Sequence, residues 1–137
     1  MLEATGRYSM HINSEEWFHL NCFIKHFEQM GTVVVANTTN PGLGRTKEMI
    51  EAAAKMGRKM MIITDGTKDD FGVDAAYIRV PKPNTPYSMP LTQFVPLCLL
   101  AADLMAIGGD KQGRGSEGPW EFCKGAAGLK NSEIVII

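Results

Sequence analysis

Basic charge is scarce in this chain: 14 Lys and Arg stand against 15 Asp and Glu, for a formal net charge of −1. No cationic field is available to gather nucleic acid or an anionic membrane surface, which argues against both partners. Cysteine is scarce as well. Cys22, Cys98 and Cys123 are odd in number and spaced like no zinc or redox motif. Cys22 and Cys98 sit among apolar residues in helical segments, as expected of buried thiols in a reducing cytoplasm, the compartment expected here. His11 and His26 have no partner at metal-ligand spacing, so no zinc site is expected. A basic region followed by an apolar run is missing from the opening Met1-Leu2-Glu3-Ala4-Thr5-Gly6-Arg7, so no signal peptide is expected. No apolar stretch reaches the roughly 18–20 residues needed to span a bilayer. The Gly-Lys-Ser/Thr of a Walker loop, the GxGxxG dinucleotide fingerprint, internal repeats and low-complexity tracts are all missing too.

What is present centres on Thr32–Asp65. Thr32-Val33-Val34-Val35-Ala36 and Met60-Met61-Ile62-Ile63 are apolar on both faces, the pattern of strands in the middle of a covered parallel sheet. Between them Met49, Ile50, Ala53, Ala54 and Met56 recur at helical spacing, while Lys47, Glu48, Glu51 and Lys55 face away. Gly57 follows as a left-handed cap. This is a β-α-β unit.

On either side the pattern extends. Tyr8–Ile12 reads as a short strand. Ser14 reads as an N-cap, with Glu15 and Glu16 at the positive end of a helix running to about Gln29 and burying Trp17, Leu20, Phe23, Ile24 and Phe27. After a polar connection at Thr67–Asp70, residues 75–80 form another strand. Pro81–Pro90, with four prolines, is an extended crossover. Leu91–Ile107 is a nearly all-apolar helix expected to be buried on most sides, with Pro96 at its start or at a kink. Gly108–Gly128 is irregular and Gly-rich, and Ile134–Ile137 is apolar enough to dock. At 137 residues the chain is one domain, and its fold class is α/β with an open, doubly wound parallel sheet. Three helices give thin cover for such a sheet, so a partner chain or a further N-terminal portion is expected.

In open α/β sheets ligands lie outside the carboxyl ends of the strands. That focuses attention on the loops at Asn37–Arg45, Asp65–Lys68 and Asn13–Glu16, with Asn37, Thr38 and Glu16 as candidate substrate-binding residues. Hydroxyls, backbone N–H groups and Arg45 in the first loop can hold a phosphate, and a tight strand-to-helix turn capped by Thr46 explains the same residues. Glu15, Glu16 and His19 share one helix face. A carboxylate beside an imidazole can transfer protons, and acidic capping with a histidine at the edge of the core accounts for them equally. Asp65 after a buried strand suggests a phospho-acceptor, but the paired acids that such a site needs are missing from the end of the first strand.

Several of these segments together resemble a known family. They are the helix Ser14-Glu15-Glu16-Trp17-Phe18-His19, the strands Thr32–Asn37, Met61–Asp65 and Ala76–Pro81, the Phe94-Val95-Pro96-Leu97-Cys98-Leu99-Leu100-Ala101-Ala102 helix and the closing Leu129-Lys130-Asn131-Ser132-Glu133-Ile134-Val135-Ile136. Their order is similar to the C-terminal sugar isomerase (SIS) domain of phosphosugar isomerases, glucosamine-6-phosphate synthase and fructosamine-6-phosphate deglycases. The resemblance covers nearly all of this chain but only the later part of the family unit. It implies an SIS-like, flavodoxin-like sheet and a sugar-phosphate ligand. It also implies either a homodimer or a missing N-terminal SIS half.

The activity it implies is aldose–ketose isomerisation or deglycation, without metal or organic cofactor, or else a non-catalytic sugar-phosphate-sensing or dimerisation module. By the same resemblance Glu3 is the catalytic base, His19 the ring-opening acid and Lys130 the lysine acting at the reactive carbon. The Gly-Pro that follows the family's histidine is Leu20-Asn21 here. Such chemistry moves a proton between adjacent carbons, so it needs a carboxylate base, an acid at the ring oxygen and a cation beside developing oxyanion charge.

Overall fold

The computed structural model describes residues 9–25, 30–82 and 84–108. The chain divides into two compact units, one of them His11–Leu97; the described residues of the other are 9–10 and 98–108. The first unit holds a three-stranded sheet of β1 (Gly31–Ala36), β2 (Lys59–Thr64) and β3 (Ala76–Arg79), in that order and parallel throughout. The register pairs Val34 with Ile62 and Ala36 with Thr64, then Ile62 with Tyr77 and Thr64 with Arg79. The fold is therefore α/β with a parallel sheet. Only β2 is central. Although β1 is apolar on both faces it lies at an edge of the described sheet, and Val35 is 39% exposed.

Helix α2 (Leu43–Lys55) crosses between β1 and β2 and buries Met49, Ile50 and Ala53 against Val34, Ala36, Met60 and Ile62. This face of the sheet is the core. Ile50 and Ile62 are fully buried, each side chain contributing about 1.5–3 kcal/mol. The helix ends as its sequence requires. Gly57 has φ +77°, its N–H donates to the Ala54 carbonyl (2.9 Å), and Arg58 N–H reaches back to Ala53 (3.0 Å). Its start differs from expectation. The N-cap is Gly42, and the Thr46 hydroxyl donates to the Gly42 carbonyl (3.3 Å) from within the helix.

The segment before β1 departs most from the sequence reading. Residues 9–12 form no strand, and Tyr8 lies outside the described residues. Helix α1 covers only Ser14–His19, followed by a 3-10 turn at Asn21–Phe23. Its N-cap is Asn13 rather than Ser14. The Asn13 side chain accepts from Glu16 N–H (2.8 Å) while the Glu16 carboxylate accepts from Asn13 N–H (3.5 Å). After Leu20 the α-helix gives way to that 3-10 turn, whose Asn21 carbonyl accepts from Ile24 N–H (3.3 Å) and also from the buried Arg58 guanidinium. Trp17 is buried as expected. Leu20 and Phe23 are exposed, which the continuous helical stripe did not foresee, and Phe27 lies outside the described residues.

The polar connection closes as a 3-10 turn at Lys68–Asp70, where Thr67 N–H and hydroxyl both donate to Asp70 (2.7 and 2.9 Å). Within the expected extended crossover, Pro86–Ser88 forms a 3-10 turn leading into α3 (Met89–Gly108). That helix runs 20 residues and has Pro96 inside it. It corrects two expectations. Leu91, Phe94, Val95, Leu99 and Ile107 are exposed rather than buried. By length and composition α3 is also apolar enough to cross a membrane. An unbroken apolar run is interrupted at Thr92, Gln93 and Asp103, but a helix averages over such residues.

Candidate functional site

Parallel strands deliver their carboxyl ends to one edge of the sheet, and the polar residues of this fold collect there. Asn37 and Thr38 follow β1, Asp65 and Gly66 follow β2, and Val80, Pro81 and Lys82 follow Arg79 at the end of β3. Asp65 organises the group. It is only 7% exposed, and Thr38 donates to both of its oxygens, from the backbone N–H to Oδ1 (2.8 Å) and from the hydroxyl to Oδ2 (2.9 Å). These bonds tie the loop after β1 to the end of β2. The Asn37 side-chain oxygen accepts from the Gln93 amide of α3.

Gly66 is where side-chain bulk is least admissible. A Cβ there would lie 2.8 Å from Thr38 Cγ2 and 2.9 Å from an Asp70 carboxylate oxygen. Its N–H donates to the buried Thr64 hydroxyl (3.0 Å), and the Val80 N–H donates to the Thr64 carbonyl (2.8 Å). Beyond Asp65 the edge opens into a crevice of about 390 Å³ lined by Asp65, Arg79, Val80, Pro81 and Lys82. Arg79 and Lys82 are exposed, and among the described residues neither side chain takes part in a hydrogen bond or ion pair. Their placement beside Asp65 was not foreseen from sequence. The available signal was a cation closing an apolar strand, with a second cation just past a proline.

The other candidate group is carried by α1. Two arginines hold this six-residue helix, which is too short to persist by itself. Arg45 of α2 donates to Glu15 from Nε (2.8 Å) and Nη2 (2.6 Å) and to Glu48 from Nη1 (2.7 Å). Its guanidinium also lies 4.1 Å from the centroid of the Phe18 ring. The bonds to Glu48 and Glu15 raise the Arg45 pKa above its usual value. Arg58 lies 5.4 Å from the Trp17 ring centroid while binding the Asn21 carbonyl. The Ser14 and Thr46 hydroxyls meet at 3.1 Å.

In this setting Trp17 points into the core and His19 lies exposed at the last residue of the helix. Among the described residues neither neighbouring carboxylate pairs with it. Glu15 is engaged by Arg45 and Glu16 by Asn13, so the acid–imidazole couple that the spacing permits is not formed among the described residues. Arg45 is likewise committed to two carboxylates rather than open to a phosphate. Thr38 and Asn37 are brought together at the strand ends, and Glu16 serves the α1 capping box. Glu3 and Lys130 lie outside the described residues. Among the described residues no group of His, Cys, Asp and Glu is arranged to hold a metal ion.

Comparison with protein-family models, curated proteins and solved structures finds no match.

Proposed function

We propose that this chain is a sugar-phosphate-binding domain of the doubly wound sugar isomerase type, belonging to an aldose–ketose phosphosugar isomerase or a fructosamine-6-phosphate deglycase. The observation that carries the reading is the register of α1. The helix is pinned by Arg45 and Arg58 so that Trp17 enters the core and His19 is presented to solvent. His19 is the residue to which the family resemblance assigns ring opening, and an accessible imidazole is what a proton donor to a ring oxygen requires. The polar edge built from Asn37, Thr38 and Asp65 lies where ligands of parallel α/β sheets bind, which further supports a small-molecule site.

In this reading Glu3 takes the proton from the carbon beside the carbonyl and returns it to the neighbouring carbon. His19 protonates the ring oxygen as the sugar opens and the anomeric hydroxyl gives its proton to solvent, while Lys130 stabilises the developing oxyanion or, in the deglycase variant, condenses with the open-chain carbonyl to a Schiff base with loss of water. Calorimetric titration with fructose 6-phosphate and glucosamine 6-phosphate tests binding. Exchange of substrate carbon-bound hydrogen with deuterated solvent, followed by NMR for the wild type and His19→Gln, tests the chemistry. Failure of both sugars to bind at millimolar concentration sinks the reading.

One observation favours a second reading, a dimerisation module. The apolar side chains Leu91, Phe94, Val95 and Leu99 of α3 are exposed, as expected of a helix covered by a second copy. Sedimentation at several protein concentrations distinguishes it, since a monomer throughout removes that reading.

A further inference from the structure

The crevice at the ends of β2 and β3 carries an arrangement that its structural duties do not use. Arg79 and Lys82 stand on either side of Val80-Pro81, where the proline ring fixes one backbone angle, and both line the crevice. The floor is Asp65, 7% exposed, each of whose oxygens accepts one bond from Thr38. A carboxylate has acceptor sites for about four hydrogen bonds, so Asp65 keeps capacity for a further donor. Two cations without protein partners among the described residues thus stand beside a buried acceptor, in a space of about 390 Å³. That volume is within the range of small-molecule sites.

We infer that this crevice binds a phosphorylated polyol, with the phosphate on Arg79 and Lys82 and a hydroxyl of the same ligand donating to Asp65. The charges select this class. A phosphate alone gains the two cations but meets the Asp65 carboxylate with nothing between them. A neutral polyol gains Asp65 and leaves the cations unused. A ligand bearing both groups satisfies all three. Among the described residues the apolar lining is Val80 and Pro81, with no aromatic ring on which a nucleobase could stack, which disfavours nucleotides. The ligand class rests on the sugar-phosphate reading above, whereas the residues that would hold it are independent of Glu3, His19 and Lys130.

The test uses the full chain, with fructose 6-phosphate, inorganic phosphate and fructose as probes, followed by calorimetry and by backbone amide NMR shifts. Fructose 6-phosphate is expected to bind more tightly than either fragment and to shift the amides of Val80 and Lys82. Arg79→Gln and Lys82→Gln are each expected to weaken it by roughly ten- to a hundredfold, the scale of one charge-assisted hydrogen bond. Arg79→Lys should recover part of the loss, and thermal melting confirms that the exposed-site variants fold. If fructose 6-phosphate binds equally well to wild type and both Gln variants, the crevice assignment is overturned while the sugar-phosphate reading stands. If inorganic phosphate binds through Arg79 and Lys82 but fructose 6-phosphate binds no tighter, the polyol assignment is overturned. Binding of none of the probes overturns both.

Discussion

Thr38→Val isolates the bond that joins the β1 loop to the end of β2. Valine keeps the shape of threonine and the backbone N–H bond to Asp65 Oδ1, and removes only the hydroxyl that donates to Oδ2 at 2.9 Å. Asp65 is 7% exposed, so the bereft oxygen has little access to water. A hydrogen bond to a charged group contributes about 1.5–3 kcal/mol, and leaving a buried charged acceptor short of a donor falls at the upper part of that range. The expected loss is therefore about 2–3 kcal/mol. Thr38→Ser supplies the contrast, because it retains the hydroxyl and sheds one methyl; its loss should stay below about 1.5 kcal/mol. Urea unfolding with a common slope measures both, since a shifted midpoint at unchanged slope reports stability alone. A Thr38→Val loss below about 0.5 kcal/mol, or one no larger than that of Thr38→Ser, would refute the reasoning. Asp65 would then be satisfied by solvent through the crevice.

Three further outcomes are expected. Ile50→Ala, at a fully buried position facing the sheet, should cost about 2–5 kcal/mol in the same unfolding assay. Gly66→Ala should cost about 1–3 kcal/mol because its Cβ would crowd Thr38 and Asp70, whereas Gly31→Ala, which opens onto free space, should lack that steric penalty. Asp70 is held below its usual carboxylate pKa by the backbone N–H of Thr67 first and the Thr67 hydroxyl second. The folded state therefore binds this proton less tightly than the unfolded chain. The contribution is present above the ordinary value of 3.8 and is lost as pH falls through the lower folded value. NMR titration should place the Asp70 midpoint below that of Asp70 in Thr67→Val, a variant that keeps only the backbone donor.

Much of the central unit was legible because it is local. The crossing helix is set by apolar residues three and four apart, and its end by one glycine followed by the bonds to Ala53 and Ala54. The two strands are short apolar runs bounded by turn residues, found within a residue of where the pattern put them. The segment before β1 was misread for a different reason. Trp17, Leu20 and Phe23 have helical spacing, yet the chain leaves the α-helix after His19 for a 3-10 turn whose Asn21 carbonyl is bound by Arg58, 37 residues away. No window of sequence contains both residues.

The candidate site divides along the same line. Asn37 and Thr38 could be named from sequence as loop residues following a buried strand. That Thr38 grips Asp65 across 27 residues, and that Arg79 and Lys82 open beside it, depends on the parallel register that aligns three strand ends. Likewise His19 could be singled out by residue type and spacing. Its exposure and lack of a carboxylate partner among the described residues follow from Arg45 and Asn13 drawing Glu15 and Glu16 away.

By itself, then, the sequence determined a β-α-β unit, its helix cap and an α/β class, because period and turn chemistry are properties of neighbouring residues. Tertiary structure decided that β2 is the central one of the described strands, what binds the Asn21 carbonyl after α1, and that Leu91, Phe94, Val95, Leu99 and Ile107 of α3 stay exposed. An apolar run declares that it is suited to burial. Only the arrangement of distant segments decides which such runs are covered and which carboxylates and cations meet.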